Sequence, residues 1–227
     1  DYVSTMNLGT SEAATFNISG GNLSVTNSIV GHTVKGVVSQ TSGTVNYKEK
    51  LTLALKSGST GTYDFSGGDL YAKDISAGSG TATFNWTGGR LHADNIGFFL
   101  QNKGGTLAPG ESPGITVING GYDQSIAGTL EIEIGGTSTS NPVEFDQLIV
   151  IGDVILGNGL TVTTINNFHP TPGNEFKFLD WTGTLSGTFS TISLTLPTLN
   201  VISAAWSTAN LYTTGTLLVY DKSPVLD

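Results

Sequence analysis

One stretch of the sequence has the pattern of a catalytic nucleophile. Gly110-Glu111-Ser112-Pro113-Gly114 matches the G-x-S-x-G motif of serine hydrolases. In those enzymes the serine stands on a turn between a strand and a helix, and an acid and a histidine complete the site. Here residues 115–118 predict a strand, and no helical pattern follows. The motif therefore predicts a turn, and we expect no catalytic residue in the chain.

The three histidines lack the spacing of metal ligands. His32, His92 and His169 are far apart in the chain, whereas the ligands of a zinc site usually come in closely spaced pairs. Each histidine is predicted to be a surface or loop residue. For His92 the prediction is an outward-facing position, because its neighbours Leu91 and Ala93 follow the apolar pattern.

Two glutamates are spaced so that their carboxylates could bind Ca²⁺ or cleave a glycosidic bond. Glu131 and Glu133 are two residues apart, so on a strand both side chains project from the same face. The simpler interpretation is a solvent face, because Leu130, Ile132 and Ile134 alternate with the glutamates.

Four aspartates recur near the edges of the repeats described below, and they could hold Ca²⁺ between neighbouring repeats: Asp64, Asp69, Asp74 and Asp94. The calcium-binding nonapeptide pattern of β-helices is absent. A polysaccharide lyase or hydrolase would need clustered acids near a cation, and Arg90 is the only arginine. We therefore predict no metal, no cofactor and no enzymatic activity.

Aromatic side chains could form a platform for sugars. The candidates are Tyr63, Tyr71, Trp86, Phe98 and Phe99. Tyr63 and Trp86 lie on an alternating apolar pattern and are predicted to be core residues. Tyr71 is the better candidate for a surface aromatic.

The composition excludes several functional classes. Charged residues make up 12% of the chain and the net charge is −9, so clustered cations for nucleic acid or anionic lipid are lacking. There is no cysteine, which excludes disulfides, thiolate metal sites and cysteine nucleophiles. No run of about 18 apolar residues predicts a membrane-spanning helix. The chain begins at Asp1 without a methionine, as expected of an exported product after signal-peptide removal.

Internal repeats are the most informative feature of the sequence. Residues 16–25 (FNISGGNLSV), 63–72 (YDFSGGDLYA) and 84–93 (FNWTGGRLHA) share one template, and residues 38–47 (VSQTSGTVNY) are a degenerate copy. The equivalent positions are Gly20, Ser42, Gly67 and Gly88. Successive copies are therefore about 21–25 residues apart, a period typical of solenoid proteins. The alternation predicts short strands with one buried face, and the glycines predict sharp changes of direction.

The steady spacing favours a β-solenoid in which each copy forms one coil, and the rival interpretation is a sandwich of hairpins. We predict an N-terminal strand or arm at residues 1–9, a repeat solenoid at 10–104, and a β-rich C-terminal region with longer strands at 105–227. That last region loses the short repeat but keeps the alternation. One helical turn is considered for residues 204–211.

Residues 104–114 (GGTLAPGESPG) resemble the signature of autotransporter-associated β-strand repeat proteins. Further similar stretches are residues 121–136 (which end in AGTLEIEIGG), 145–162, 176–194 and 211–219, so the resemblance covers roughly residues 36 to 220. It implies an exported β-helical stalk with no shared active site. That family's translocator barrel and sorting tail do not follow Tyr220 or Ser223-Pro224, which favours their removal in maturation or attachment through copies of the same chain.

These patterns predict a secreted, cell-surface structural protein. The first expectation is a subunit of an extracellular filament or sheath that self-associates head to tail, or by strand exchange through its N-terminal segment. The alternative is a monomeric adhesin or carbohydrate-binding stalk, with a glycan as the ligand. A lyase or hydrolase is the third and least favoured class.

Overall fold

The structure, a computed structural model, describes residues 2–140, 142–195 and 204–222. All regular elements in these residues are β-strands, which confirms the all-β prediction. Asp1 and Ser223-Pro224 lie outside the described residues. The strands are β1 (Tyr2–Leu8), β2 (Ala14–Val30), β3 (Lys35–Leu53), β4 (Thr60–Ala77), β5 (Thr81–Ile96), β6 (Leu100–Gln101), β7 (Thr106–Leu107), β8 (Ile115–Asn119), β9 (Tyr122–Asp123), β10 (Thr129–Ile134), β11 (Gln147–Ile151), β12 (Val154–Leu156), β13 (Gly159–Thr164), β14 (Glu175–Lys177), β15 (Leu179–Trp181), β16 (Leu185–Gly187), β17 (Thr191–Thr195), β18 (Ala204–Ser207) and β19 (Thr216–Asp221).

Most strands belong to one long parallel sheet. Its path runs β1-β2-β3-β4-β5-β7-β10-β13-β17, and β8, β11 and β15 complete its 12 strands. A four-stranded sheet, β16-β12-β9-β6, is also parallel, and β14-β19-β18 is antiparallel. Hairpin strands run antiparallel. The parallel pairing of β1 to β5 therefore rules out the hairpin interpretation for the repeats.

The strand register confirms the repeat spacing. Asn22 pairs with Thr44, Thr44 pairs with Asp69, and Asp69 pairs with Arg90. Each of these partners holds the same position in the next copy of the sequence template. Equivalent side chains therefore stack on one another from repeat to repeat.

Stacking of equivalent apolar side chains builds the core. One column runs from β2 to β17 and consists of Leu23, Val45, Leu70, Leu91, Leu107, Leu130, Leu160 and Ile192. From Val45 to Leu160 its members are almost fully buried. Each buried aliphatic side chain contributes about 1.5–3 kcal/mol of transfer free energy. Alternation along each strand sends the intervening residues outward.

The glycine pairs serve both turning and packing. Gly89 has φ of 82°, in the left-handed region that favours glycine. A Cβ there would lie 2.6 Å from the ring of Phe65, and one at Gly105 would overlap the indole of Trp86. A ring from one repeat thus packs against a glycine of the next.

The C-terminal part lacks the short repeat, as expected, and has a longer one. Leu130 pairs with Leu160 and Leu160 with Ile192, so each step is about 30 residues. Two other expectations for this part of the chain are wrong. Its strands have 2–6 residues and are shorter than the 16–19 residues of β2 to β5. The expected helical turn is wrong: residues 204–207 form β18, because the backbone pairs with β19.

Residues 175–181 form two strands, β14 and β15, which are divided at Phe178. The Phe178 amide donates to the carbonyl of Gly215, and its own carbonyl accepts from the Leu148 amide. The backbone therefore passes from the antiparallel sheet to the parallel one at this residue.

The two ends of the main sheet differ. Beyond the last repeats, Leu211, Leu217 and Val219 are buried in the same core cluster as the main sheet. At the other end Phe16, which begins the inward column that continues through Val38, is 36% exposed. No described helix could cross a membrane.

Candidate ligand cleft

A loop leaves the main sheet and lies over the outer side of β5. Leu91 of β5 pairs with Leu107 of β7, and Asn95 pairs with Val117 of β8. Residues 108–114 connect β7 to β8 outside this pairing. The segment that resembles the family signature therefore forms one wall of a surface feature.

The hydrolase-like motif lies in this loop. Residues 110–113 form a turn and strand β8 follows, which confirms the turn prediction. The hydroxyl of Ser112 donates to the carboxylate of Glu133. Its described partner is thus an acid, whereas a hydrolase serine would donate to a histidine base.

Short polar contacts hold the start of the loop. The Gly110 amide donates to the hydroxyl oxygen of Thr116 at 3.1 Å. That hydroxyl in turn donates to the carbonyl of Ala93 on β5. Thr116 is fully buried, so it satisfies a loop donor and a strand acceptor in a dry environment.

A buried carboxylate holds the end of the loop. Asp146, which is 1% exposed, accepts from the amides of Gly114 at 2.7 Å and Glu133 at 2.8 Å. Burial raises the pKa of Asp146 to about 7, although both amides lower it and Glu133 and Glu131 add to the increase. Asp146 therefore connects the loop to β10.

His92 is buried, which corrects the surface prediction. It is 7% exposed and its ring stacks on that of Tyr71, with centroids 4.3 Å apart and planes 7° apart. The residue does face away from the core, but the 108–114 loop covers it: Nδ1 lies 3.2 Å from the Gly110 carbonyl oxygen. Strand alternation alone could not reveal this cover.

The contacts of His92 define its protonation. A carbonyl oxygen can only accept, so Nδ1 carries the proton and Nε2 of the neutral ring is an acceptor. Nε2 is buried and has no hydrogen-bond partner. Burial and the nearby Arg90 guanidinium lower the pKa of His92, against opposing contributions from the Gly110 carbonyl, Asp69 and Glu133.

Between β3, β4, β5 and the loop lies an open cleft of about 740 Å³. This volume is in the usual range of small-ligand sites, about 300–1,000 Å³. The polar side chains that line it include Asn46, Tyr71, Lys73, His92, Asp94 and Glu111.

Two carboxylates, those of Asp94 and Glu111, line the cleft. Burial and the Glu111 carboxylate raise the pKa of Asp94, and the Lys73 ammonium opposes them. Lys73 also forms a 3.2 Å ion pair with Glu49. Lys73 and Asp94 hold equivalent positions of neighbouring repeats, because Ala72 pairs with Ala93. The repeat spacing in the sequence could therefore have predicted that Lys73 and Asp94 lie on neighbouring strands at equivalent positions.

Most of the other acidic candidates have structural partners. Glu131 and Arg90 form an ion pair at 2.8 Å, and both glutamates of β10 face away from its buried residues, as predicted. Asp64 accepts from the Asn85 amide at 2.7 Å, and Asp74 pairs with Lys50 at 3.0 Å. His32 is half-buried and His169 is exposed. Within the described ranges, no group of three His, Asp or Glu side chains is arranged to hold a metal ion.

The aromatic candidates divide as predicted. Tyr63 and Trp86 are fully buried, in stacks with Phe84 and Phe65, whereas Tyr71 is half-buried at the cleft. Phe98 and Phe99 do not line the cleft with it.

No protein-family model matches this chain, and neither a curated protein nor a solved structure has significant similarity to it.

Proposed function

We propose that this chain is a β-solenoid and a non-catalytic structural subunit of an extracellular bacterial filament or sheath. In-register parallel stacking of the shorter and then the longer repeats supports the solenoid. The resemblance of residues 104–114 to exported β-strand repeat proteins supports the location. Self-association of identical subunits builds the assembly.

The observation that carries the proposal is the uncovered end of the core at β2. Residues 14–23 pair with β3 on one side and have no strand on the other among the described residues. Phe16 holds an inward position there, yet 36% of its surface is exposed. Unpaired strand edges with apolar side chains favour the addition of another strand. A coil from a second copy would extend both the hydrogen bonding and the apolar columns.

Strands at the opposite end supply the matching edge. In the described part of the chain, β16 pairs only with β12, and β17 pairs only with β13. Because these pairs are parallel, the free sides of β16 and β17 can accept another parallel coil. Contact between two different surfaces builds a filament when the rotation between neighbouring copies does not close a ring.

The test is light scattering and negative-stain electron microscopy of the chain and two variants. We expect fibres from the unmodified chain. Phe16→Lys should remain monomeric, because a charge at the end of an apolar column opposes burial. The matched control is Phe99→Lys, since Phe99 is 50% exposed in the turn between β5 and β6, and it should still form fibres. A monomeric unmodified chain, or fibres from Phe16→Lys, would contradict the proposal.

The cleft supports a second candidate function, that of a carbohydrate-binding surface stalk or adhesin. Its half-buried Tyr71 and its amide, carboxylate and ammonium groups are typical of sugar sites. The test is binding of the Phe16→Lys variant to a glycan array, with Tyr71→Ala as the comparison. Glycan binding that Tyr71→Ala abolishes is expected, and failure to bind any glycan would reject this function.

A further inference from the structure

The two open edges of the stacked strands carry no charged side chain. Residues 14–23 at one edge contain no Asp, Glu, Lys or Arg, and neither do residues 184–195, which include β16 and β17 at the other edge. Proteins commonly protect an edge strand with charges, which oppose pairing with another chain. Pairing of these two edges with each other meets no such charge.

Apolar columns reach both edges at matching lateral positions. The column that begins at Phe16 continues through Leu100 and ends at Leu185, and the column described above runs from Leu23 to Ile192. Phe16 is 36% exposed, and the other three terminal side chains are only partly buried. Because each column keeps its place within the strands, Leu185 of one copy can meet Phe16 of another while Ile192 meets Leu23.

The two edges also have complementary steps. Strand β1 pairs with residues 24–30 and lies one strand beyond residues 14–23. Counted from β2, the stack through β8 and β11 ends at its seventh strand, β15, whereas the stack that ends at β17 has eight strands. The strand that projects at one edge therefore fits the step at the other. Met6 of β1 and Trp181 of β15, both partly buried, end a third apolar column and would meet there.

We propose that the partner of residues 14–23 is the edge formed by β16 and β17 of a second copy, in a single parallel register that sets Leu185 on Phe16 and Ile192 on Leu23. This inference rests on the proposed filament and defines its interface.

The register makes the start of β1 a competitor for the edge. Residues 2–3 pair with residues 24–25. Once Ile192 lies on Leu23, residues 193–194 of the second copy need the same edge positions. The first residues of β1 therefore leave the edge when copies join, and the rest of β1 keeps its pairing.

Disulfide cross-linking tests the register, because the chain has no cysteine of its own. In the proposed register Asn17 lies beside Ser186 of the second copy, and both side chains are exposed in the single chain. Neighbouring strands are about 4.7–4.9 Å apart, within the Cα separation of a disulfide, about 4.4–6.8 Å. Oxidation of a chain with Asn17→Cys and Ser186→Cys should give a ladder of covalent oligomers in non-reducing gel electrophoresis.

The control pair is Thr15→Cys with Ser186→Cys, which is two residues out of register and should give about tenfold less cross-linked product. A ladder from the control pair, or fibres of the Asn17–Ser186 pair without covalent oligomers, would overturn the register and leave the filament intact. Dimers from Asn17→Cys alone would also overturn it, because two copies would then join through the same edge. Absence of both fibres and covalent oligomers would overturn the filament as well.

Deletion of residues 1–4 tests the competition. Fibres followed by light scattering should form at about tenfold lower chain concentration, the effect of one or two backbone hydrogen bonds that no longer have to be broken. An unchanged or higher concentration would contradict the register, because β17 could not then replace the start of β1 at the edge.

Discussion

At the scale of single residues, Gly105 shows how closely neighbouring repeats approach. Its φ is not in the left-handed region, but a Cβ there would overlap the Trp86 indole. We expect Gly105→Ala to lower the free energy of unfolding by about 1–3 kcal/mol, the usual cost of overpacking a core. Urea denaturation followed by tryptophan fluorescence measures this.

Gly97→Ala is the matched control for that substitution. Gly97 also lacks a positive φ, and the nearest atom to its Cβ would be 3.5 Å away, an ordinary contact. Its free energy of unfolding should change by less than about 0.5 kcal/mol. Equal effects of the two substitutions would show that the indole does not occupy the space above Gly105.

Asp146 should make stability depend on pH. Its folded-state pKa, about 7, lies above the unfolded value of about 3.9. The folded chain therefore holds the proton more tightly, and this contribution is fully present below about pH 4 and is lost as the pH rises through about 7. Relative to Asp146→Asn, the unmodified chain should lose stability across this window.

Urea denaturation of both chains at intervals from pH 4 to pH 8 measures the difference. The asparagine has no proton to release, so it removes this dependence, and its loss of one amide contact adds a constant cost of about 1–3 kcal/mol. A stability difference that stays constant with pH would mean that Asp146 titrates at the ordinary value for an aspartate.

At this scale the sequence predicted correctly whether a side chain is buried where alternation along one strand decides it. Alternation placed Tyr63 and Trp86 in the core, and both are buried. It failed for His92, because the loop that covers it comes from residues 108–114 and strand alternation carries no information about that contact. The role of Asp146 could not be predicted from its neighbours in the sequence either, because its two hydrogen-bond donors are the amides of Gly114 and Glu133.

At the scale of elements, buried amide side chains support the corners of the repeats. Gln40 is fully buried, and its Nε2 donates to the carbonyls of Gly43 at 3.2 Å and Asp69 at 3.0 Å. Its Oε1 accepts from the Tyr63 hydroxyl at 2.8 Å. Asn102 and Gln124 likewise donate to glycine carbonyls of later corners. The glycine turns are thus held by side chains as well as by backbone geometry.

We expect Gln40→Leu to lower the free energy of unfolding by about 2 kcal/mol, because it removes the acceptor of the Tyr63 hydroxyl and the donor to two carbonyls. Adding Tyr63→Phe should cost less in the Gln40→Leu background than in the unmodified chain, since the hydroxyl has already lost that acceptor. A double-mutant cycle by urea denaturation measures this coupling. Strictly additive effects would contradict a direct hydrogen bond.

The sequence revealed one repeat length and hid the other. The shorter repeat was visible because each copy retains a Gly-Gly or Ser-Gly pair within an aromatic or aliphatic pattern. The longer repeat retains single positions, such as Gly121, Gly152 and Gly183, which stack on one another. The sequences that connect these glycines vary from one repeat to the next. The longer repeat of β10, β13 and β17 is therefore evident only from the strand register.

At the scale of the whole molecule, the contrast between its ends is the feature with functional consequences. The C-terminal strands bury Leu211 and Leu217 in the main core cluster, but among the described residues they leave one side of β16 and one side of β17 without a partner strand. The edge of residues 14–23 and the half-exposed Phe16 have no comparable cover in the described residues. Repeat proteins need capped ends to remain monomeric, so this edge is where we expect copies to join.

Amide hydrogen–deuterium exchange of residues 14–23, followed as the chain concentration rises, tests this account most directly. In dilute solution, the amides that point away from β3 should exchange rapidly. As fibres form, pairing with a neighbouring coil should slow the same amides, whereas exchange in the turn at Phe99 stays unchanged. Fibres that leave residues 14–23 exchanging as in the monomer, or a chain that stays monomeric throughout, would contradict assembly through this edge.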